Sequence, residues 1–138
     1  MTRVELEIRD EQPDNPGFLI PFSKVVNGLR EEFPNIRPEN LEVMWLENGL
    51  GPASCAIDAA FQALPGRPPI AVSSDLWSGL MDETERPATI ELRLKGEPVE
   101  FGVFDSGLHF VRGPRPSLER LAKQFEAARI RVIPDQEP

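Results

Sequence analysis

Arg3-Val4-Glu5-Leu6-Glu7-Ile8-Arg9 alternates strictly between charged and apolar residues. That period of two describes a strand with one dry face and one wet face. Phe22, Val25, Val26, Leu29 and Phe33 then fall at i, i+3, i+4, i+7 and i+11, one stripe of an amphipathic helix. Pro21 suits the start of that helix and Pro34 stops it. Gly28, inside the stripe, costs up to about 1 kcal/mol relative to alanine; it either marks a close helix–sheet contact or weakens the helix. Residues 41–46 read as a second strand, broken by Glu47-Asn48-Gly49-Leu50-Gly51. Pro52 is placed as a first helical residue. Ala53, Ala56, Ile57, Ala60, Phe61 and Leu64 form the second helical stripe, closed by Pro65-Gly66.

Ile70-Ala71-Val72 suggests a short strand, and Ser74 or Asp75 a cap for a short helix bearing Leu76, Trp77, Leu80 and Met81. Three strand signals follow, over 89–94, 99–104 and 108–111, joined by turns at Lys95-Gly96-Glu97 and Asp105-Ser106-Gly107. These make a β-meander. Ser117 is the expected cap of a last helix lined by Leu118, Leu121, Ala122, Phe125 and Ala128, with Arg129 and Arg131 complementing its dipole. Ile130–Ile133 predicts an edge strand. The order β-α-β-α-(β/α)-β-β-β-α-β, with wet-faced strands among amphipathic helices, predicts an α+β two-layer sandwich. Its sheet is mostly antiparallel, with a C-terminal β-meander and helices packed on one face. We expect one domain over residues 1–133 and a tail over 134–138.

Composition narrows the function more than the fold. The 138 residues carry 23 acidic and 15 basic side chains, a net charge of −8. Residues 1–105 hold 19 of the acids and 9 of the bases, whereas 106–138 hold 4 and 6. An anionic surface repels phosphate backbones and favours cationic partners, so nucleic acid is not an expected ligand. No apolar run approaches the roughly 18 residues that span a bilayer, and a single cysteine suits a reducing compartment. A cytoplasmic protein is the expectation.

The chain has one histidine, His109, one cysteine, Cys55, and no tyrosine. Most mechanisms draw their base, nucleophile or ligand from these types or from clustered carboxylates. Cys55 lies in the first turn of the second expected helix, where a thiol can be activated. His109 is the only imidazole base available to it, with Asp105 or Asp58 to orient the ring. Against that, Cys55 abuts Ala56-Ile57 and reads as a small core residue, and alternation puts His109 on a wet face opposite Leu108 and Phe110. Asp10, Glu11, Asp14 and Asn15 share a loop but lack the spacing of a calcium loop. Gly49-Leu50-Gly51-Pro52 lacks the third glycine of a dinucleotide fingerprint. No cofactor or metal is expected.

The strongest recognition signal is Asp75-Leu76-Trp77-Ser78-Gly79-Leu80-Met81-Asp82-Glu83-Thr84-Glu85. Tryptophan is enriched at binding hot spots, and the carboxylates of Asp75, Asp82, Glu83 and Glu85 would steer a basic partner. Trp45, with Glu42 and Glu47, extends such a surface. A competing reading puts Trp77, Leu80 and Met81 in the core, with a solvated acidic loop after them. In size, acidic balance and lack of reactive side chains the chain resembles small immunity or antitoxin-type proteins. That resemblance rests on profile rather than on any motif. It implies a non-enzymatic domain that covers a basic, nuclease-like protein. The alternatives are a small cysteine hydrolase using Cys55 and His109, and a small-molecule sensor with its pocket between sheet and helices.

Overall fold

The computed structural model describes residues 3–9, 20–63, 69–105, 107–125 and 128–132. The acidic loop at Asp10–Asn15, the Pro65-Gly66 stop and the tail from residue 134 lie outside them. The described residues build seven strands and four helices: β1 (Arg3–Arg9), α1 (Phe22–Glu32), β2 (Leu41–Glu47), α2 (Pro52–Ala63), β3 (Ile70–Ala71), α3 (Ser74–Asp82), β4 (Thr89–Leu94), β5 (Glu100–Phe104), β6 (Leu108–Pro114), α4 (Arg115–Ala122) and β7 (Ala128–Val132). The strands form one sheet in the order β3-β2-β4-β5-β6-β1-β7, with every pairing antiparallel. The α+β sandwich with a C-terminal meander is therefore what the chain adopts, and helices pack on one face.

Alternation decides which face that is. Val4, Leu6 and Ile8 of β1 are fully buried against the helices, together with Leu92, Phe101 and Val111 from neighbouring strands. The stripe of α1 supplies Phe22, Val25, Val26 and Leu29 to the same cluster, and α3 supplies Leu76, Trp77 and Leu80. Ser73, rather than Ser74 or Asp75, caps α3: its Oγ accepts the Leu76 N–H at 3.1 Å. A Cβ on Gly28 would stand 2.9 Å from Leu121. This glycine admits close approach of α4, a helix–helix contact in place of the helix–sheet contact anticipated.

The last helix is shorter than its apolar stripe suggested. Pro114 precedes it, with Ser117 inside the first turn instead of at the cap, and it ends at Ala122. Phe125 is buried just beyond the helix, while Ala128 already belongs to β7. Arg129 and Arg131 are thus strand residues, paired across from Glu7 and Glu5, and they do not act on the helix end. β7 is an edge strand as expected, and it holds β1 on the side away from β6.

Two local features interrupt the regular ladder. β2 shifts register between Val43 and Trp45, a bulge that keeps Val43 opposite Leu92 while setting Trp45 opposite Glu91. Gly102 on β5, opposite Glu91 and Phe110, sits where any Cβ would overlap the Ile90 carbonyl oxygen. Glycine within a strand marks such a close backbone approach. Gly102→Ala is therefore expected to lose about 3 kcal/mol, measured by urea unfolding. A loss under about 0.5 kcal/mol would show that the β4–β5 contact has room to spare.

Candidate functional site

The face of the sheet opposite the helices carries a cleft of about 680 Å3. It exists because β1, β6 and β7 point their second set of side chains there. From β1 come Glu5 and Glu7, from β6 Leu108, Phe110 and Arg112, and from β7 Arg131. Trp45 and Glu47 of β2, Glu91 of β4 and Phe104 of β5 close the other side. Five carboxylates and three guanidinium groups line the cleft.

Glu5 is the electrostatic node. It is only 7% exposed and accepts hydrogen bonds from Arg112 Nε at 2.8 Å and from Arg131 at 2.9 Å. Arg112 also reaches Glu91 at 3.0 Å and lies 4.7 Å from the centre of the Phe110 ring. A carboxylate taken from water needs such partners, because an uncompensated buried charge costs several kcal/mol. Burial works to lower the Arg112 pKa, but the Glu5 hydrogen bond and the charges of Glu91, Glu5 and Glu100 outweigh it, so the guanidinium is held above its ordinary value. A raised basic group contributes its stability below the unfolded pKa and loses it only as pH climbs through the folded one. For an arginine that window lies in strong alkali, so this node stays intact across the physiological range.

Glu7, one pleat further along β1, has a different environment. It is 6% exposed, faces the cleft, and makes no ion pair or hydrogen bond with any described residue. Its cross-strand neighbours are Phe110 on β6 and Arg129 on β7. Arg129 is exposed and does not line the cleft. Trp45 donates its indole N–H to Glu47 and packs against Phe61 of α2, the ring centroids 5.4 Å apart and the planes tilted by 49°. Phe104, at the end of β5, is 57% exposed.

The segment read as the recognition surface is placed differently. Trp77 is buried in the core beneath the Arg30 guanidinium, 5.6 Å from its ring centre. This is the competing core reading of the α3 stripe. Glu85 is buried as well: its carboxylate accepts the Ala53 and Ser54 N–H groups at 3.2 and 2.7 Å. It thereby satisfies the N-terminus of α2 from 31 residues away. Asp75 and Asp82 are exposed and Glu83 is half-buried, whereas Glu47 belongs to the cleft. The six residues do not form one patch.

The thiol and the imidazole are also not where the pattern put them. Cys55 is exposed, its Sγ 3.2 Å from the Gly49 carbonyl oxygen, because α2 turns Ser54 and Phe61 inward instead. His109 is fully buried, opposite Ile8 on the helix-covered face, and donates from Nε2 to the Ile20 carbonyl at 2.9 Å. The space beside it, about 30 Å3, is not lined by Cys55 and has room for about one water. The Cys55–His109 dyad does not assemble. Among the described residues no group of three or more His, Cys, Asp or Glu could hold a metal ion, and no helix is long and apolar enough to cross a membrane.

The cleft was within reach of sequence reasoning in part. Glu5 and Glu7 alternate plainly with the core residues of β1, but pairing with β6 and β7 joins these two to positions more than a hundred residues away. Comparison of the chain with protein-family models, with characterised proteins and with solved structures finds no match. Function must be argued from the site.

Two outcomes check these placements. Trp77→Ala should cost about 3–5 kcal/mol and Glu85→Ala about 1–2 kcal/mol, whereas Asp75→Ala and Asp82→Ala should each stay within about 0.5 kcal/mol in denaturant unfolding; a near-neutral Trp77→Ala would return that ring to the surface. In the native state, Cys55 should react with a thiol reagent about as fast as in urea. A thiol that reacts only after unfolding contradicts its exposed position.

Proposed function

We propose that this chain is a non-enzymatic binding domain of the immunity or antitoxin type, and that it neutralises a basic protein by seating it on the uncovered face of the sheet. The observation that carries the reading is the cleft there: about 680 Å3, rich in carboxylate, and bordered by Trp45, Phe104 and Phe110. Aromatic anchors set among carboxylates that outnumber the guanidinium groups suit recognition of a cationic protein. The net charge of −8 speeds the approach of a cationic partner, and the exposed Asp75 and Asp82 add to that field. A cytoplasmic setting is part of the reading, supported by the exposed single thiol of Cys55.

One property of the cleft favours a second reading. Its volume falls in the range of about 300–1,000 Å3 typical of small-molecule pockets, which suits a sensor domain. The two readings separate by size fraction. A sensor gains melting temperature from the low-molecular-weight pool of its cell, and a neutralising partner gains it from the protein fraction.

The direct test is affinity capture with two baits, the wild type and Glu47→Lys/Asp105→Lys, both changes being at the cleft rim. The wild type should retain strongly basic proteins, released at about 0.5 M salt where screening is short-ranged. The reversed bait should retain at least about tenfold less. Equal capture by both baits would remove the cleft from the interaction.

A further inference from the structure

The geometry points to Glu7 as the anchor for an arginine side chain delivered by the partner protein, an assignment that rests on the binding reading above. β1 presents two carboxylates in succession to the same cleft. Glu5 is met by guanidinium groups from both flanking strands, Arg112 of β6 and Arg131 of β7. Glu7 has Phe110 on the β6 side and Arg129 on the β7 side, but Arg129 extends outside the cleft. The result is a side chain 94% buried by its surroundings whose carboxylate opens into the cleft and takes no hydrogen bond or ion pair from any described residue, although Arg9, two positions along the same face, and Arg131 line that cleft too. A carboxylate held at the floor of a cleft in which acids outnumber bases favours a cation brought to it. The partner that fits is a cation supplied from outside.

Guanidinium fits better than ammonium. Glu7 lies directly across from Phe110, and the Phe110 ring already carries the Arg112 guanidinium at 4.7 Å. Phe104 and Trp45 offer further flat surface in the same cleft. A planar, weakly hydrated guanidinium gains both from stacking on such rings and from a two-pronged bond to a carboxylate, whereas an ammonium is compact and strongly hydrated.

Three capped tripeptides, Ac-Gly-Arg-Gly-NH2 and its lysine and citrulline counterparts, test the assignment by amide chemical-shift titration of the full chain. The arginine peptide should give saturable shifts centred on Glu7, Leu108 and Phe110. Its affinity should fall about tenfold or more in Glu7→Gln and stay the same in Glu39→Gln, an exposed acid away from the cleft. The lysine peptide should bind at least about fivefold more weakly, and the citrulline peptide should give no saturable shift. Equal binding of the arginine peptide to wild type and Glu7→Gln overturns the anchor, as does equal binding of lysine, a footprint elsewhere, or no binding at all. If the anchor fails while cleft-dependent capture of basic proteins persists, the binding reading stands without it; loss of both removes both.

Discussion

One strand with two unlike faces sets the terms for the rest of this molecule. β1 comes from the N-terminus yet lies between β6 and β7 of the C-terminal third. Its apolar side, Val4, Leu6 and Ile8, is completely withdrawn from water under the helices. The two-residue pleat then forces Glu5 and Glu7 to the opposite face, nearly buried in the middle of the sheet. The chain must therefore place cations around them or leave charge unmet. At Glu5 it does the first, through Arg112 and Arg131, and this contact ties residues 3–9 to two segments more than a hundred positions away. At Glu7 no described residue completes an ion pair, and the carboxylate opens into the cleft.

The same alternation gives the open face its character. The face of the sheet opposite the core leaves a broad surface, and the side chains that β1, β2, β4, β5, β6 and β7 turn to it line a cleft there. The lone imidazole and the lone thiol lie away from this face. His109 is locked in the core against the Ile20 carbonyl, and Cys55 lies on the outside of α2. What the open face offers is charge, flat aromatic area and a defined depth, and these are the materials of recognition.

Local periodicity carried most of the architecture. The strict alternation of residues 89–94 and the i, i+3, i+4 stripe of α1 each depend on a single buried face, so pattern and structure coincide; residues 3–9 alternate as read, but the face expected to be wet is nearly buried at Glu5 and Glu7. Errors arose where both faces of an element are apolar or where a distant residue decides. In β6, Leu108 and Phe110 are as hydrophobic as their neighbours, so only the pairing of His109 with Ile8 reveals which side is the core. In α2, Ala53, Ala56 and Ala59 near Cys55 give its orientation little contrast; the helix is instead turned by Phe61 against Trp45 and by Glu85 at its N-terminus. A carboxylate capping a helix 31 positions upstream leaves no mark in a local window, which is why Glu85 looked like part of an acidic docking loop. The cleft itself was half legible: its acids were visible on β1, but the strands that flank them are fixed by long-range register.

The claim beneath this account is that the two carboxylates of β1 have separate duties, Glu5 to the fold and Glu7 to a visitor. Urea unfolding of Glu5→Gln and Glu7→Gln, side by side in the absence of any ligand, tests it most directly. Glu5→Gln should lose about 2 kcal/mol or more, since it strands two guanidinium groups, while Glu7→Gln should be neutral or stabilising because no described residue pairs with that carboxylate. Equal losses from both would mean that the fold itself holds Glu7, and that the cleft awaits no cation.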